Sequence, residues 1–245
     1  MDWIYLFAFI MVCIGSAVSG MAAFGFSLVI VPPLLLAFEP ATVTTMVIIL
    51  TLIARWVVLV DAWDGIQWRP VAMMAPTGVI GSFAGAYLLK HLDSSYIKFS
   101  ASAIVMSTSL VMLAGKTMPG AQLPAAAPVA GFFSGMLNTA TGMAGPPVVL
   151  LFSARDYATQ VFRGTLTAFF YFVSIFGLIA LVNQRLVQRD DLYLSLGMLP
   201  AALIGTYLGQ YFSRRISQRS FRRVVLVLLV GTGIIGAVAA LRSLL

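Results

Sequence analysis

The sequence predicts an all-α, polytopic integral membrane protein with about eight transmembrane segments in two tandem repeats, the first segment of each repeat broken or re-entrant. Three observations predict it. Of 245 residues, 60% are hydrophobic and 9% charged, against about a quarter charged in an ordinary soluble domain. So few charges cannot cover a soluble globule of this size. The apolar residues gather into spans near the ~20 residues that cross a bilayer core. Two of those spans are interrupted by clustered glycine and proline.

Taken in order, the first set of spans is Trp3–Phe38, Thr42–Val60, Pro70–Leu89 and Tyr96–Gly115. The second is Leu123–Ser153, Thr159–Val182, Leu192–Phe212 and Phe221–Leu241. The first span of each set is too long for one straight crossing. A helix of that length would reach about 50 Å, well beyond the ~30 Å core. Each must be broken, tilted or folded back. The breaks are marked by SGMAAFGFSLVIVPPLLLAF, from Ser19 to Phe38, and by SGMLNTATGMAGPPVVLLF, from Ser134 to Phe152. Lipid tolerates broken backbone only where protein or a water-filled cavity satisfies the freed N–H and C=O groups. Two such breaks at matching places are a sequence pointer to a transporter's substrate site.

Internal duplication is read from two registers. At an offset of 115 residues, Ser19-Gly20-Met21 falls on Ser134-Gly135-Met136 and Pro32 on Pro147. At an offset of 124, Pro76 meets Pro200, Gly81 meets Gly205, Gly85 meets Gly209 and Lys98 meets Arg222. The expected division is residues 1–118 and 119–245. Loop charge sets the expected topology. The formal net charge of +7 is concentrated at Arg214–Arg223, read as a cytoplasmic loop under the positive-inside rule. Nucleic acid is therefore not an expected partner; the lipid bilayer is. Counting back with each long span as one crossing puts Arg155–Arg163 and Lys90–Lys98 on the cytoplasmic side. Asp2 and Asp61–Asp64 then face outward, and the repeats run parallel. Folding each long span into a hairpin instead gives inverted repeats.

Catalytic and metal chemistry find little support. Cys13 and His91 stand alone, so neither a disulfide nor a multi-histidine site can form. No cofactor and no enzymatic activity are expected. Trp63 and Trp68 suit interfacial anchoring. Glu39, Asp64 and Asp156 are loop-edge carboxylates, none set apart by its surroundings. The pairs Gly81-x-x-x-Gly85 and Gly205-x-x-x-Gly209 put small residues on one helix face, for packing within a chain or between two chains of a homodimer.

The candidate site is built on the second break. A half-helix beginning near Gly142–Gly145 leaves its first amides without intrahelical partners. Those amides carry about half a positive charge, a seat for an anion. Pro146 suits the first helical turn. Asn138, Thr139 and Thr141 add neutral donors. The bland reading of the same residues is a kink with tight packing. The first break offers Gly25 and Ser27, and is expected to form a more apolar opposite wall. Among ionisable residues inside spans, Arg55 either snorkels to the interface or faces inward toward an anion. Arg163 is a positive-inside charge or reaches the substrate.

At these residues the chain resembles the TauE/SafE sulfite-exporter family. The resemblance rests on Gly-Met-Ala-Gly-Pro-Pro-Val-Val-Leu at Gly142–Leu150, on the Ser-Gly to Pro spacing of Ser19–Pro32, and on the Gly-x-x-x-Gly helix of each half followed by a basic loop. It covers essentially the whole chain. It implies a bacterial inner-membrane carrier for sulfite or small organosulfonates such as sulfoacetate, usually in export. One departure is that only Gly25 remains of a first motif that is normally glycine-rich. The expected function is a secondary transporter of small sulfur-containing anions, driven by a proton or sodium gradient or by the solute's own. An anion channel or a carrier for small carboxylates is the alternative.

Overall fold

In the computed structural model, residues 2–22, 24–114, 120–155 and 157–213 are described. The Arg214–Arg223 loop, the Phe221–Leu241 span and Asp156 lie outside them. Helices account for nearly all of the described chain: α1 (Asp2–Ala22), α2 (Phe26–Leu34), α3 (Pro40–Ala54), α4 (Trp56–Asp61), α5 (Trp68–His91), α6 (Ser94–Leu113), α7 (Ala126–Thr141), α8 (Gly145–Ser153), α9 (Thr159–Asn183) and α10 (Arg189–Ser213). Within α1, α5, α9 and α10, the stretches Trp3–Met21, Trp68–His91, Gln160–Asn183 and Arg189–Phe212 are long and apolar enough to cross a membrane. Both overlong spans are broken as expected, the first into α1 and α2, the second into α7 and α8.

Neither break continues straight across. Gly15 of α1 backs onto Phe26 and Ile30 of α2, and Gly25 faces Val18, so α2 folds back along α1. The second hairpin closes likewise. Arg155, just after α8, donates from Nε and from a terminal nitrogen to the Ala121 carbonyl before α7, at 3.0 and 2.8 Å. Ser134 Oγ of α7 bonds the Ala144 carbonyl at the turn.

Helix directions follow from paired contacts. The starts of α5 and α9 meet where the Gln67 amide donates to Thr165 Oγ1 at 3.0 Å. Their ends meet where Lys90 Nζ donates to Gln184 Oε1 at 3.3 Å. The two therefore run parallel, from an Asp61 end to a Lys90 end. Helix α7 runs with α5: Gly131 and Gly135 back onto Met74 and Gly78, Gly81 and Gly85 onto Phe132 and Met136. It starts at the Asp61 end. Helix α10 follows α9 and starts at the Lys90 end, and α1 runs with it, Cys13 against Gly205 and Ala17 against Gly209. Ser94 Oγ donates to Glu39 Oε2 at 2.9 Å, which puts the start of α3 at the Lys90 end too. The hairpins α1–α2 and α7–α8 thus enter from opposite ends.

That arrangement corrects the topology expected from loop charge. Asp61 pairs with Arg163 at 3.6 Å, and the Gln160 side-chain amide donates to the Asp61 carbonyl at 3.1 Å. The Asp61–Asp64 and Arg163 segments share one end; Lys90 lies at the other. Each overlong span returns to the end it started from and does not count as a crossing.

Two large apolar bodies result, joined at the Lys90 end by a smaller cluster of Ile48, Ala86, Leu89, Ile97 and Leu181. One is built mainly from α1, α2, α3 and α10 with part of α6, around Val12, Leu28, Ile30 and Met46. The other joins α5, α7, α8 and α9, around Met74, Val148, Phe152 and Phe169. Glycine sets how closely their helices approach. A Cβ at Gly135 would overlap the Gly78 carbonyl. Gly135→Ala should lower stability by about 1–3 kcal/mol through overpacking, read as a lower unfolding midpoint in detergent. An unchanged midpoint would contradict the close α5–α7 crossing.

Candidate functional site

Each hairpin turns on one glycine in the left-handed region. Gly25 caps the start of α2 with φ 93°, and Gly142 ends α7 with φ 76°. Any other residue there is strained by about 1–2 kcal/mol. Both return helices therefore begin inside the bundle, with their N-termini turned inward.

The two starts are unequal. The ladder of α2 opens with the Val29 amide on the Gly25 carbonyl at 3.1 Å, so the amides of Phe26, Ser27 and Leu28 precede it. In α8 the first turn contains Pro146 and Pro147, which have no N–H. Pro32 and Pro33 instead lie in the C-terminal half of α2. The first break, expected as the more apolar wall, thus offers more main-chain donors than the second.

A small, partly open cavity lies between the two breaks. Of the residues expected at a site, Gly25, Ser27, Arg55, Asn138, Gly142 and Gly145 line it. Nothing lies within 4 Å of where a Gly145 Cβ would stand. Four expected residues are not in the lining. Thr139 Oγ1 donates to the Ser82 carbonyl at 2.6 Å, tying α7 to α5. Thr141 Oγ1 donates to the Leu137 carbonyl at 2.9 Å within its own helix. Pro146 is buried in the first turn of α8. Arg163 is held by Asp61 and lies 3.5 Å from the Gly20 carbonyl.

Among the described residues, Arg55 is the one ionisable residue in the lining. It stands where α3 gives way to α4, only 9% exposed. It faces inward and does not snorkel. One terminal nitrogen donates to Ser19 Oγ at 2.9 Å. The guanidinium carbon lies 5.4 Å from the Phe170 ring centroid, within cation–π range. Its Nε has no hydrogen-bond partner, and no carboxylate among the described residues pairs with it. Asn138, 3% exposed, adds a side-chain amide whose described contact, to the Val173 carbonyl, is long at 3.5 Å.

Thr51, Phe170 and Ser174 also line the cavity and were not anticipated from sequence. The available signal was helical spacing. Thr51 lies one turn before Arg55, and Ser174 one turn after Phe170, so each pair shares a helix face.

The sulfite exporter TauE/SafE family matches residues 7–235. The chain belongs to that family. It is a membrane transporter, not an enzyme. It is 24% identical over 175 residues to a probable inner membrane transporter protein TsaS of Comamonas testosteroni, covering 69% of this chain and 72% of that one. It is 28% identical over 202 residues to a probable sulfite/organosulfonate exporter TauE of Cupriavidus necator, covering 79% and 77%. No solved structure matches the chain.

The hairpin geometry separates two glycines by kind. Gly142→Ala should lose about 1–2 kcal/mol of stability, because its left-handed backbone is strained by a Cβ. Gly145→Ala should stay within about 0.5 kcal/mol of the parent, because its Cβ enters open space. Thermal unfolding of both variants checks the contrast; equal losses would refute it.

Proposed function

We propose that the chain is an inner-membrane secondary transporter that exports small sulfur-containing anions, of the sulfite or organosulfonate class, through the cavity between its two hairpins. Arg55 carries this reading. A buried charge is costly unless it is paired, and Arg55 has a hydroxyl and a ring beside it but no carboxylate. An anionic solute supplies the missing charge. Its oxygens would accept hydrogen bonds from the guanidinium, from the amides opening α2, and from Ser27, Thr51, Asn138 and Ser174. The N-termini of α2 and α8 add partial positive charge from two sides. Thr139, Thr141 and Pro146 would shape the second hairpin without touching solute, and Arg163 would tie the Asp61 end.

Residues 1–118 and 119–245 read as two halves of inverted sense. The exchange of partners, α1 with α10 and α5 with α7, supports that division. The Gly-x-x-x-Gly faces on α5 and α10 are filled by helices of the same chain, so a homodimer would have to use other surfaces. Alternating access would come from relative rotation of the two bodies that wall the cavity.

Arg55→Met tests the reading. Its removal should leave thermal stability equal or higher, because an unpaired buried charge is lost. It should also weaken solute binding by about 1.5–3 kcal/mol, the worth of hydrogen bonds to a charged group. The measurement is the stabilisation given by sulfite in thermal unfolding, with flux in proteoliposomes beside it. Undiminished sulfite stabilisation and flux in the variant would sink the assignment.

A further inference from the structure

A carrier that takes up a proton during its cycle needs a group that titrates near neutrality, and in membrane proteins that role falls to carboxylate or imidazole. Arg55 keeps its proton throughout the physiological range. The rest of the lining is glycine, alanine, hydroxyl, amide and three phenylalanines.

The chain has eight acidic residues and one histidine. Glu39, Asp61, Asp64, His91 and Asp93 are exposed at helix ends or loops. Asp2 opens α1, and Asp190 and Asp191 open α10. Asp191 Oδ2 is taken by the Gln188 amide at 2.9 Å. Asp156, outside the described residues, follows α8 in the sequence. Residues 224–241, also outside them, contain no ionisable side chain. The elements that wall the cavity are the turn before α2, α2 itself, α3, α7, α8 and α9. Among the described residues of these elements, Arg55 is the only charged group in the lining.

We infer that the cavity takes a singly charged anion and that the protein moves it as net charge, any accompanying proton riding on the solute and not on the protein. The inference rests on the anion-carrier reading above. One full positive charge matches one negative charge. A dianion would leave its second charge to the partial charges of two half-helix starts, one of them stripped of amides by Pro146 and Pro147. Phe24, Phe26 and Phe170 in the lining offer it no further donor.

The test uses the full chain in proteoliposomes, with equal sodium on both sides and the potential set by potassium and valinomycin. Two anions are compared: methanesulfonate, which stays singly charged, and sulfite, which exchanges between its protonated monoanion and its dianion around neutrality. Methanesulfonate should distribute about tenfold for each ~60 mV, the ratio for one charge. At fixed potential its flux should not change between mildly acidic and mildly alkaline buffer. Sulfite flux should rise as the buffer is made more acidic and the monoanion gains.

Accumulation of methanesulfonate by a pH gradient at zero potential would show a protein-borne proton and overturn the inference. So would a distribution indifferent to potential, or sulfite flux that grows with pH. Absence of flux for both anions, with a protein that is inserted and folded, is a different result. It removes the anion-carrier reading itself.

Discussion

A positive charge held without a carboxylate inside an apolar bundle is the constraint on which the site depends. Arg55 reaches the cavity because α3 stops at Ala54, and the chain restarts as α4 at Trp56. Ser19 and Phe170 fix the guanidinium without neutralising it. A carboxylate in place of Ser19 would stabilise the empty protein, but it would compete with any anionic guest. A hydroxyl and a ring orient the charge and leave it available. The left-handed Gly25 and Gly142 complete the arrangement by turning two helix starts toward the same space.

Glycine does a second job away from the site. Gly78, Gly81, Gly85, Gly131 and Gly135 bring α5 and α7 into backbone contact, and Gly20, Gly205 and Gly209 do the same for α1 and α10. In lipid there is little hydrophobic drive between helices, so close van der Waals packing has to supply cohesion. These seams hold the hairpins at fixed depth. Thr139 strengthens one of them through the Ser82 carbonyl, which is why a buried polar residue beside the break serves packing and not solute.

Much of this was legible in the sequence. Both breaks and the glycine seams follow from residue type and spacing, whereas Arg55 stays open between the interface and the interior until its burial beside Ser19 and Phe170 decides it. Direction was not legible, because hairpin and straight crossing share one hydropathy pattern; only contacts such as Asp61 with Arg163 and Lys90 with Gln184 distinguish them. The balance between breaks was misread for a related reason. The polar run Asn138–Thr141 looks richer on paper, but Thr139 and Thr141 spend their hydroxyls on carbonyls, and α8 opens with two prolines. The plainer first break keeps three amides ahead of its ladder. Which donors are already committed is a property of the fold, not of composition.

The packing also decides which parts can move. Had each sequence half been one body, the cavity would open by separating residues 1–118 from 119–245. The seams forbid that, because α1 is bound to α10 and α5 to α7, each across the sequence boundary. The two larger apolar clusters divide the described helices differently, with α10 joining α1, α2 and α3, and α5 joining α7, α8 and α9, while a third, smaller cluster joins α3 and α6 to α5 and α9. The first body presents Gly25, Ser27, Thr51 and Arg55 to the cavity, and the second presents Asn138, Gly142, Gly145, Phe170 and Ser174. A solute held in this cavity would therefore lie on the plane where the bodies meet. The Arg163–Asp61 pair ties α9 to the end of α4, and Leu59 of α4 lies in the same apolar cluster as Phe169 of α9. A rotation that opened the cavity would instead have to shear the Ile48–Leu181 cluster, which spans both bodies at the Lys90 end.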